Sequence, residues 1–251
     1  MPFDLAGPSL VAAVLAALVI GISKTGISGL GALSAAVFAL VLPTRESTAA
    51  VLLLLIVADV VAIAIYRRDA NWRLLRHLLP AIIPGLLVGA LILNFSDNTL
   101  LRRWIGALFI VSVVIQLVVA WRRADQDLAA APAMHPAISW LTGGAAGVAT
   151  MTANAAGPIV TVYLIASRVD KRQFLGTMAW FTFIGNLLKV PLSFGVGLMG
   201  PGTFALALLL APAVLIGTWL GARLVKRINQ QWFNRVVLGT SLIAAIALLV
   251  S

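Results

Sequence analysis

Cysteine is absent from the 251 residues, and histidine occurs only twice, at His77 and His135. Without thiols the chain can form no disulfide framework, no thiolate metal site and no cysteine nucleophile. Both histidines lie in polar connecting segments, where a metal site built on them is not expected. A glycine-rich ATP loop, an HExxH zinc motif, a catalytic triad and a paired acid/base set are also missing. The sequence therefore predicts that the protein is not an enzyme.

Charged residues are scarce as well, at 10% of the chain, whereas hydrophobic residues make up 61% and the mean hydropathy is +1.06. A soluble domain of this size would have too little polar surface to cover that much apolar material. A membrane span needs roughly 20 mostly apolar residues. The net charge of +10 comes from basic residues that flank apolar blocks, so it does not form the continuous basic surface of a nucleic-acid binder. We predict an all-α polytopic membrane protein with the lipid bilayer as its partner.

Apolar blocks alternate with polar joints along the whole chain. Eight such blocks occupy approximately residues 8–42, 48–66, 75–95, 100–121, 138–167, 174–199, 203–222 and 232–250. The longest polar stretch runs from Arg122 to Pro136 and divides the chain near its middle. We predict a first membrane repeat at residues 1–123, a linker at 124–137 and a second membrane repeat at 138–251.

The two halves share residues that membrane helices do not have in common by default. Three residues of the first half recur 128 positions later, namely Pro84, Gly89 and Trp104. Two others, Gly21 and Gly31, recur 126 positions later. Between them, Asp59 aligns with Asn186 at a displacement of 127. Prolines, glycines and a tryptophan that recur in order indicate an internal duplication.

The basic residues favour one topology for these repeats. If every block crossed the membrane once, ten basic residues would lie on one side and six on the other. If the first block of each half enters and returns on the same side, only Arg45, Arg102 and Arg103 lie opposite the remaining thirteen. The second arrangement fits the positive-inside rule better. It predicts two inverted-topology repeats, each a broken or re-entrant first helix followed by three transmembrane helices, with both termini outside. Eight simple spans in parallel repeats remain the alternative.

The first blocks of both halves are unusually long and are interrupted near their middle. The interruptions are Gly26–Gly29 in the first half and Thr150–Asn154 in the second. Non-helical backbone survives at membrane depth only where protein or a water-filled cavity satisfies its polar groups. A half-helix that begins inside the membrane directs unpaired N–H groups at this gap, which favours an anion. The alternative is that these glycines only permit close packing of helices.

Charged side chains inside the apolar blocks are few. Lys24 and Lys189 are the only basic residues placed away from a predicted membrane surface, and a charge at that depth indicates function by default. Lys189 follows Asn186 by three residues on the same helix face, although it could also extend toward a nearby helix end after which Pro191 follows. Asp59 is the one carboxylate inside a block. It either pairs with a lysine structurally or takes up and releases a proton during transport.

These groups predict a site for a small anion between the two broken segments. Lys24 and Lys189 would provide charge, and the neutral contacts would come from the residues Thr25, Ser28, Gly29, Thr152, Asn154 and Asn186. Transport would proceed by alternating access, with proton coupling through Asp59 as one option. An anion channel without coupling is the alternative from the same pattern.

Three segments resemble the sulfite exporter TauE/SafE family of membrane permeases. They are the run GISKTGISGLG at 21–31, the run GGAAG at 143–147 followed by NAAGP at 154–158, and the Pro-x-x-x-x-Gly-x-x-x-Gly pattern at 212–221. The resemblance covers essentially the whole chain. It implies a multi-pass permease of the bacterial inner membrane, without a cofactor, for sulfur-containing anions such as sulfite, sulfonates or sulfoacetate. Import and export, and monomer and homodimer, are all compatible with it.

Overall fold

The computed structural model describes residues 7–26, 44–95, 136–154 and 156–229 together with positions 31, 34, 37, 38, 41, 42, 232, 233, 235 and 236. The predicted block at 100–121, most of the predicted linker and of the last block, Ser28 and Gly29 lie outside these residues. The described regular structure is entirely helical. Its seven helices are α1 (Pro8–Thr25), α2 (Thr44–Tyr66), α3 (Trp72–Phe95), α4 (Pro136–Ala153), α5 (Ala156–Ala166), α6 (Lys171–Gly195) and α7 (Pro201–Arg227).

Four of the described helices are long and apolar enough to cross a bilayer. They are α1, α3, α7 and the Thr48–Tyr66 part of α2, with mean hydropathies of 1.8 to 2.8. Their outer surfaces carry large apolar side chains in the open, such as Leu208 on α7 and Leu91 on α3. In a bilayer this is the expected arrangement, because lipid tails are as apolar as the side chains. The prediction of an all-helical, multi-span membrane protein is confirmed.

Helix starts follow from local sequence signals. Pro8 and Pro201 each occupy the first turn of their helix, where proline lacks only a donor that would be unpaired anyway. At the start of α6 the Asp170 carboxylate accepts hydrogen bonds from the backbone N–H groups of Arg172 and Gln173, at 2.8 and 3.0 Å. The negative charge of this carboxylate also interacts favourably with the positive, N-terminal end of the helix dipole.

The fifth apolar block breaks at Asn154, between α4 and α5. Asn154 has a φ of 54°, a left-handed conformation that asparagine tolerates better than most residues. Ser139, near the start of α4, and Tyr163, near the end of α5, have their hydroxyl oxygens 2.8 Å apart. Because the two far ends meet, α5 doubles back along α4. In the first block Gly31 lies beside α1, since its backbone N–H donates to Ser23 Oγ at 2.9 Å.

Two pairs of helices pack through glycine at very short range. A Cβ added at Gly217 of α7 would lie 2.0 Å from the carbonyl oxygen of Leu18 in α1. A Cβ added at Gly85 of α3 would lie 2.2 Å from the carbonyl oxygen of Gly144 in α4. Small residues allow such close approach, which is how membrane helices gain packing energy without a hydrophobic driving force. The pairs are α1 with α7 and α3 with α4, so each joins helices that are distant in sequence.

We expect Gly217→Ala to separate α1 from α7 and lower the free energy of unfolding by about 1–3 kcal/mol or more, because the added methyl group meets a backbone carbonyl that cannot move aside. Unfolding in mixed micelles would measure the change. Gly195→Ala is the matched control, since nothing lies within 4 Å of a Cβ there. Equal stability of the two variants would contradict the close packing of α1 and α7.

The contacts between helices define their relative directions. Leu18 and Ile22 of α1 contact Gly217 and Gly221 of α7 in increasing order, so these two helices run in the same direction. The same holds for α3 and α4, where the Leu78–Gly143 contact is followed by contacts between Gly89 and Met151.

Helix α6 runs opposite to both α2 and α7. Tyr66 at the end of α2 packs against Gly176 near the start of α6, whereas Asp59, seven residues earlier, contacts Asn186. Lys171 at the start of α6 donates from Nζ to the carbonyl oxygens of Val225 and Ile228 at the end of α7, at 3.0 and 2.6 Å. Because α7 and α1 share a direction, α1 and α2 also run in the same direction.

One end of this bundle holds most of the described basic residues. The ends of α2 and α7 and the starts of α3 and α6 meet there. We call this end the basic face, and its cationic residues are Arg67, Arg68, Arg73, Arg76, Arg168, Lys171, Arg172, Arg223, Lys226, Arg227 and Arg235. Arg45 lies near the start of α2, at the opposite end. The described part of the molecule is therefore strongly asymmetric in charge from one end to the other.

Candidate functional site

A buried ion pair lies between α1 and α2. Lys24 Nζ is 2.6 Å from Asp59 Oδ1, and the two side chains are 12% and 0% exposed. Asp59 Oδ1 also accepts a hydrogen bond from Thr182 Oγ1 at 2.8 Å, and Asp59 Oδ2 accepts one from Asn186 Nδ2 at 2.7 Å. A buried carboxylate is tolerated only when it is paired and hydrogen-bonded, and Asp59 meets both conditions.

Lys189 of α6 is wholly buried but has a different environment. Its Nζ donates to the carbonyl oxygen of Thr150 at 2.5 Å and to Asn154 Oδ1. No carboxylate of the described residues lies within 4 Å of it. The alternative in which Lys189 extends toward a helix end is wrong. Helix α6 continues through Pro191 to Gly195, and the amine turns inward to α4.

Four polar side chains follow one another along a single face of α6. Their spacing of four, three and four residues places them in line on a helix. We call this line the α6 polar face, and it consists of Thr182, Asn186, Lys189 and Ser193. Ser193 is fully buried, and its hydroxyl has no hydrogen-bond partner in the described structure. Sequence reasoning missed Thr182 and Ser193, although their spacing from Asn186 and Lys189 was a usable signal.

The hydroxyl groups of Thr25 and Thr152, which were predicted to contact the substrate, donate instead to backbone carbonyl oxygens. Thr25 Oγ1 donates to the carbonyl oxygen of Thr218 at 2.6 Å and to that of Gly21 at 3.2 Å, so it joins α1 to α7. Thr152 Oγ1 donates to the carbonyl oxygen of Val148 within its own helix, at 2.9 Å. Neither hydroxyl contacts Lys24 or Lys189.

The structure thus brings the predicted residues into two adjoining groups. Lys24, Asp59 and Asn186 form the first, and Lys189 and Asn154 form the second. Asn154 also donates from Nδ2 to the carbonyl oxygen of Thr48 at 3.1 Å, which ties the break after α4 to the start of α2. Asn186 and Lys189 lie one turn apart on α6, so the two groups are continuous along the α6 polar face.

Some residues that the predicted duplication would pair lie together in this site. Asp59 and Asn186, which align at the displacement of 127 residues, have side chains that are directly hydrogen-bonded. Lys24 has Thr150 as its equivalent, 126 positions later, and the carbonyl of Thr150 is a partner of Lys189. The site therefore contains two lysines, Lys24 at the end of α1 with 12% of its side chain exposed, and the wholly buried Lys189 of α6.

The two buried amines outnumber the carboxylates beside them. Lys24 is balanced by Asp59, whereas Lys189 faces neutral acceptors only. An anion placed at Lys189 would meet an amine that can carry a positive charge and, on the same helix face, the hydroxyl of Ser193. Oxygen atoms that carry negative charge accept such hydrogen bonds most strongly. The arrangement is suited chemically to binding an oxyanion.

A comparison with known proteins assigns the chain to a family. The model of the family described as "Sulfite exporter TauE/SafE" matches residues 13–248. A "Probable inner membrane transporter protein TsaS" from Comamonas testosteroni is 28% identical over 171 residues, which cover 68% of this chain and 69% of that protein. No solved structure matches the chain significantly.

Proposed function

Because the chain belongs to the sulfite exporter TauE/SafE family of membrane transporters, we propose that it is a secondary transporter for a small sulfur-containing oxyanion. Sulfite and organosulfonates such as sulfoacetate are the proposed substrates, and the bacterial inner membrane is the proposed location. The observation that carries the proposal is Lys189, a buried amine that has no carboxylate within 4 Å among the described residues. An ionisable group at membrane depth without a counter-charge indicates a substrate or ion pathway.

The proposed substrate contacts centre on the α6 polar face. Lys189 would meet the anion directly, with the unpartnered hydroxyl of Ser193 as a second donor. Asn154 would orient Lys189, and Asn186 would join this position to the Lys24–Asp59 pair. Lys24 is the second proposed charge partner of the substrate.

The other four predicted contacts have a less direct place in the proposal. Ser28 and Gly29 stay predicted contacts, since they follow α1 directly and lie outside the described residues. Thr25 and Thr152 have hydroxyls bonded to backbone carbonyls, so each would need a rotation to reach the substrate.

An inverted repeat is the proposed basis of alternating access. Helices α1, α2 and α3 run opposite to their counterparts α4, α6 and α7, which is the relation that inverted repeats require. The direct contact of Asp59 with Asn186 supports a pseudo-two-fold axis passing between α2 and α6. Rocking of the two halves about this axis would expose the site to each side in turn.

The basic face supports the proposed orientation. Cytoplasmic ends of membrane helices carry an excess of lysine and arginine, so the basic face would lie in the cytoplasm. Arg45 and the start of α1 would then lie outside. Both termini are proposed to be outside, in agreement with the basic-residue count along the full chain.

A thermal-shift screen of the purified protein tests the substrate class. We expect sulfite and sulfonates to raise the melting temperature more than sulfate, phosphate or carboxylates do, since a ligand stabilises the state that it binds. A ranking led by carboxylates or phosphate would replace the proposed substrate class. The absence of stabilisation by every anion would count against transport of anions altogether.

Transport by protein reconstituted in vesicles distinguishes a transporter from a channel. Turnover that saturates below ~10³ per second is expected for a mechanism that rearranges helices in every cycle. Flux far above that value, without any response to a proton gradient, would favour the anion channel. Wild-type rates for Lys24→Ala would remove Lys24 from the proposed site.

A further inference from the structure

The two buried lysines differ in the number and kind of their partners. Lys24 has a carboxylate at 2.6 Å, which is the arrangement of an ammonium cation. Lys189 has two acceptors, the carbonyl oxygen of Thr150 and Asn154 Oδ1. A neutral amine has two N–H groups and a lone pair, whereas an ammonium group has three N–H donors. Two acceptors and no counter-charge therefore match the neutral amine at Lys189.

Burial strengthens this distinction. Lys189 is 0% exposed, so water cannot supply the third acceptor or screen a charge. A lone buried charge carries a desolvation penalty of several kcal/mol, and a titratable group under that penalty becomes neutral instead. Asp59 has the opposite environment, because one cation and two further donors contact its two oxygens. Its negative charge is already compensated within the structure.

From this contrast we infer that Lys189, rather than Asp59, is the proton-coupling group: it is a neutral amine in the empty transporter and becomes protonated when the anion binds. The proton adds to the lone pair of Nζ, and the new N–H bond faces the anion. One proton and one negative charge then enter the site together. The inference rests on the proposed function and assigns the coupling step within it.

The charged groups around Lys189 are consistent with this assignment. From α4 it meets only the neutral Thr150 and Asn154. On its own helix the nearest polar neighbours are Asn186 and Ser193. Asp59 of α2 and Lys24 of α1 lie beyond Asn186 and compensate each other. The helices α3 and α5 also pack on α6, and neither contains a carboxylate; α5 has no charged residue, and the charged residues of α3 are Arg73 and Arg76 at the basic face.

Calorimetry of anion binding in two buffers with different ionisation enthalpies tests the inference, because it counts the protons taken up. The probes are ethanesulfonate and sulfoacetate, added at pH 8 to the full chain in lipid nanodiscs. The wild type should take up close to one proton per anion. Its affinity should rise as the pH falls, by about tenfold per unit where one proton is linked to binding.

Three variants decide which group receives the proton. Lys189→Arg stays charged at every accessible pH, so its binding should take up no proton. Asp59→Asn should retain the uptake, and the neutral double variant Lys24→Gln/Asp59→Asn repeats that test without leaving a lone buried charge. Asp69→Asn is the matched control, since Asp69 is ion-paired to Arg172 on the exposed basic face, and it should behave as the wild type.

The outcomes separate this inference from the proposed function. Uptake that is lost in Asp59→Asn and in the double variant, but kept in Lys189→Arg, would make Asp59 the coupling group. Binding by the wild type without proton uptake would also overturn the inference while leaving anion transport intact. A wild type that binds neither probe would overturn the proposed transport of sulfonates and the inference together.

Discussion

Replacing Lys24 by methionine is expected to lower the free energy of unfolding by about 3–5 kcal/mol, which is the typical loss when one partner of a buried ion pair is removed. Asp59 would then have to hold a buried charge without the cation that contacts it, or take up a proton, and both cost free energy. Thr182 and Asn186 would still donate to it, but two neutral donors do not replace an ammonium group. Unfolding in mixed micelles would measure the difference.

The double variant Lys24→Met/Asp59→Asn should recover most of this loss, because it removes the uncompensated charge along with the broken pair. Arg172→Met is the matched control at the other described ion pair. There Arg172 is 69% exposed, and an exposed pair contributes only about 0–1 kcal/mol. A loss at Lys24→Met no greater than that at Arg172→Met would show that the Lys24–Asp59 contact is not a buried ion pair in the membrane.

Replacing Lys189 by methionine is expected to reduce transport and anion binding strongly while changing the free energy of unfolding only a little. Transport and anion binding should fall by about thirtyfold or more, since loss of one partner from a buried charged contact weakens binding by about 2–5 kcal/mol. Stability should change by less than about 2 kcal/mol. No ion pair is broken, and the main loss is one unpaired acceptor at Asn154.

Binding and stability must be measured on the same preparation for this comparison. Ethanesulfonate binding by calorimetry and unfolding in mixed micelles provide the two values. Leu188→Met is a suitable control, because Leu188 precedes Lys189 on α6 but is directed outward. Full anion affinity in Lys189→Met would contradict the proposed substrate site, and a stability loss as large as that of Lys24→Met would indicate that Lys189 carries a charge in the empty protein.

The membrane class and most helix positions were predictable from local composition. A run of about 20 apolar residues has few stable alternatives to a spanning helix, because every backbone polar group must be satisfied internally in lipid. The break near Asn154 was also predictable, since polar and small residues interrupt a block that is too long for one span. The pairing of α1 with α7 and of α3 with α4 was not. Glycines at 21, 85 and 217 indicate close packing but carry no information on the partner helix.

The site was predictable in its members but not in their contacts. Lys24, Lys189 and Asp59 stand out because charge is rare inside apolar blocks. Which lysine meets Asp59 depends on contacts between helices that are distant in sequence, and both pairings were compatible with the chain. Thr25 illustrates the same limit, because its hydroxyl could serve a ligand or a neighbouring helix, and the approach of α7 decides for Thr218.

The sequence by itself therefore determined that this protein lies in the lipid bilayer. It also determined the number and approximate limits of the apolar blocks and the few residues able to carry charge within them. These properties follow from the free energy of each single segment in lipid, which does not depend on the other segments. The tertiary structure alone decided that Lys24 is paired with a carboxylate and that Lys189, among the described residues, is not. Helix α2 brings Asp59 to the first lysine, whereas α4 brings the second only neutral oxygens. Such a difference depends on which helices are neighbours, and no single segment encodes that.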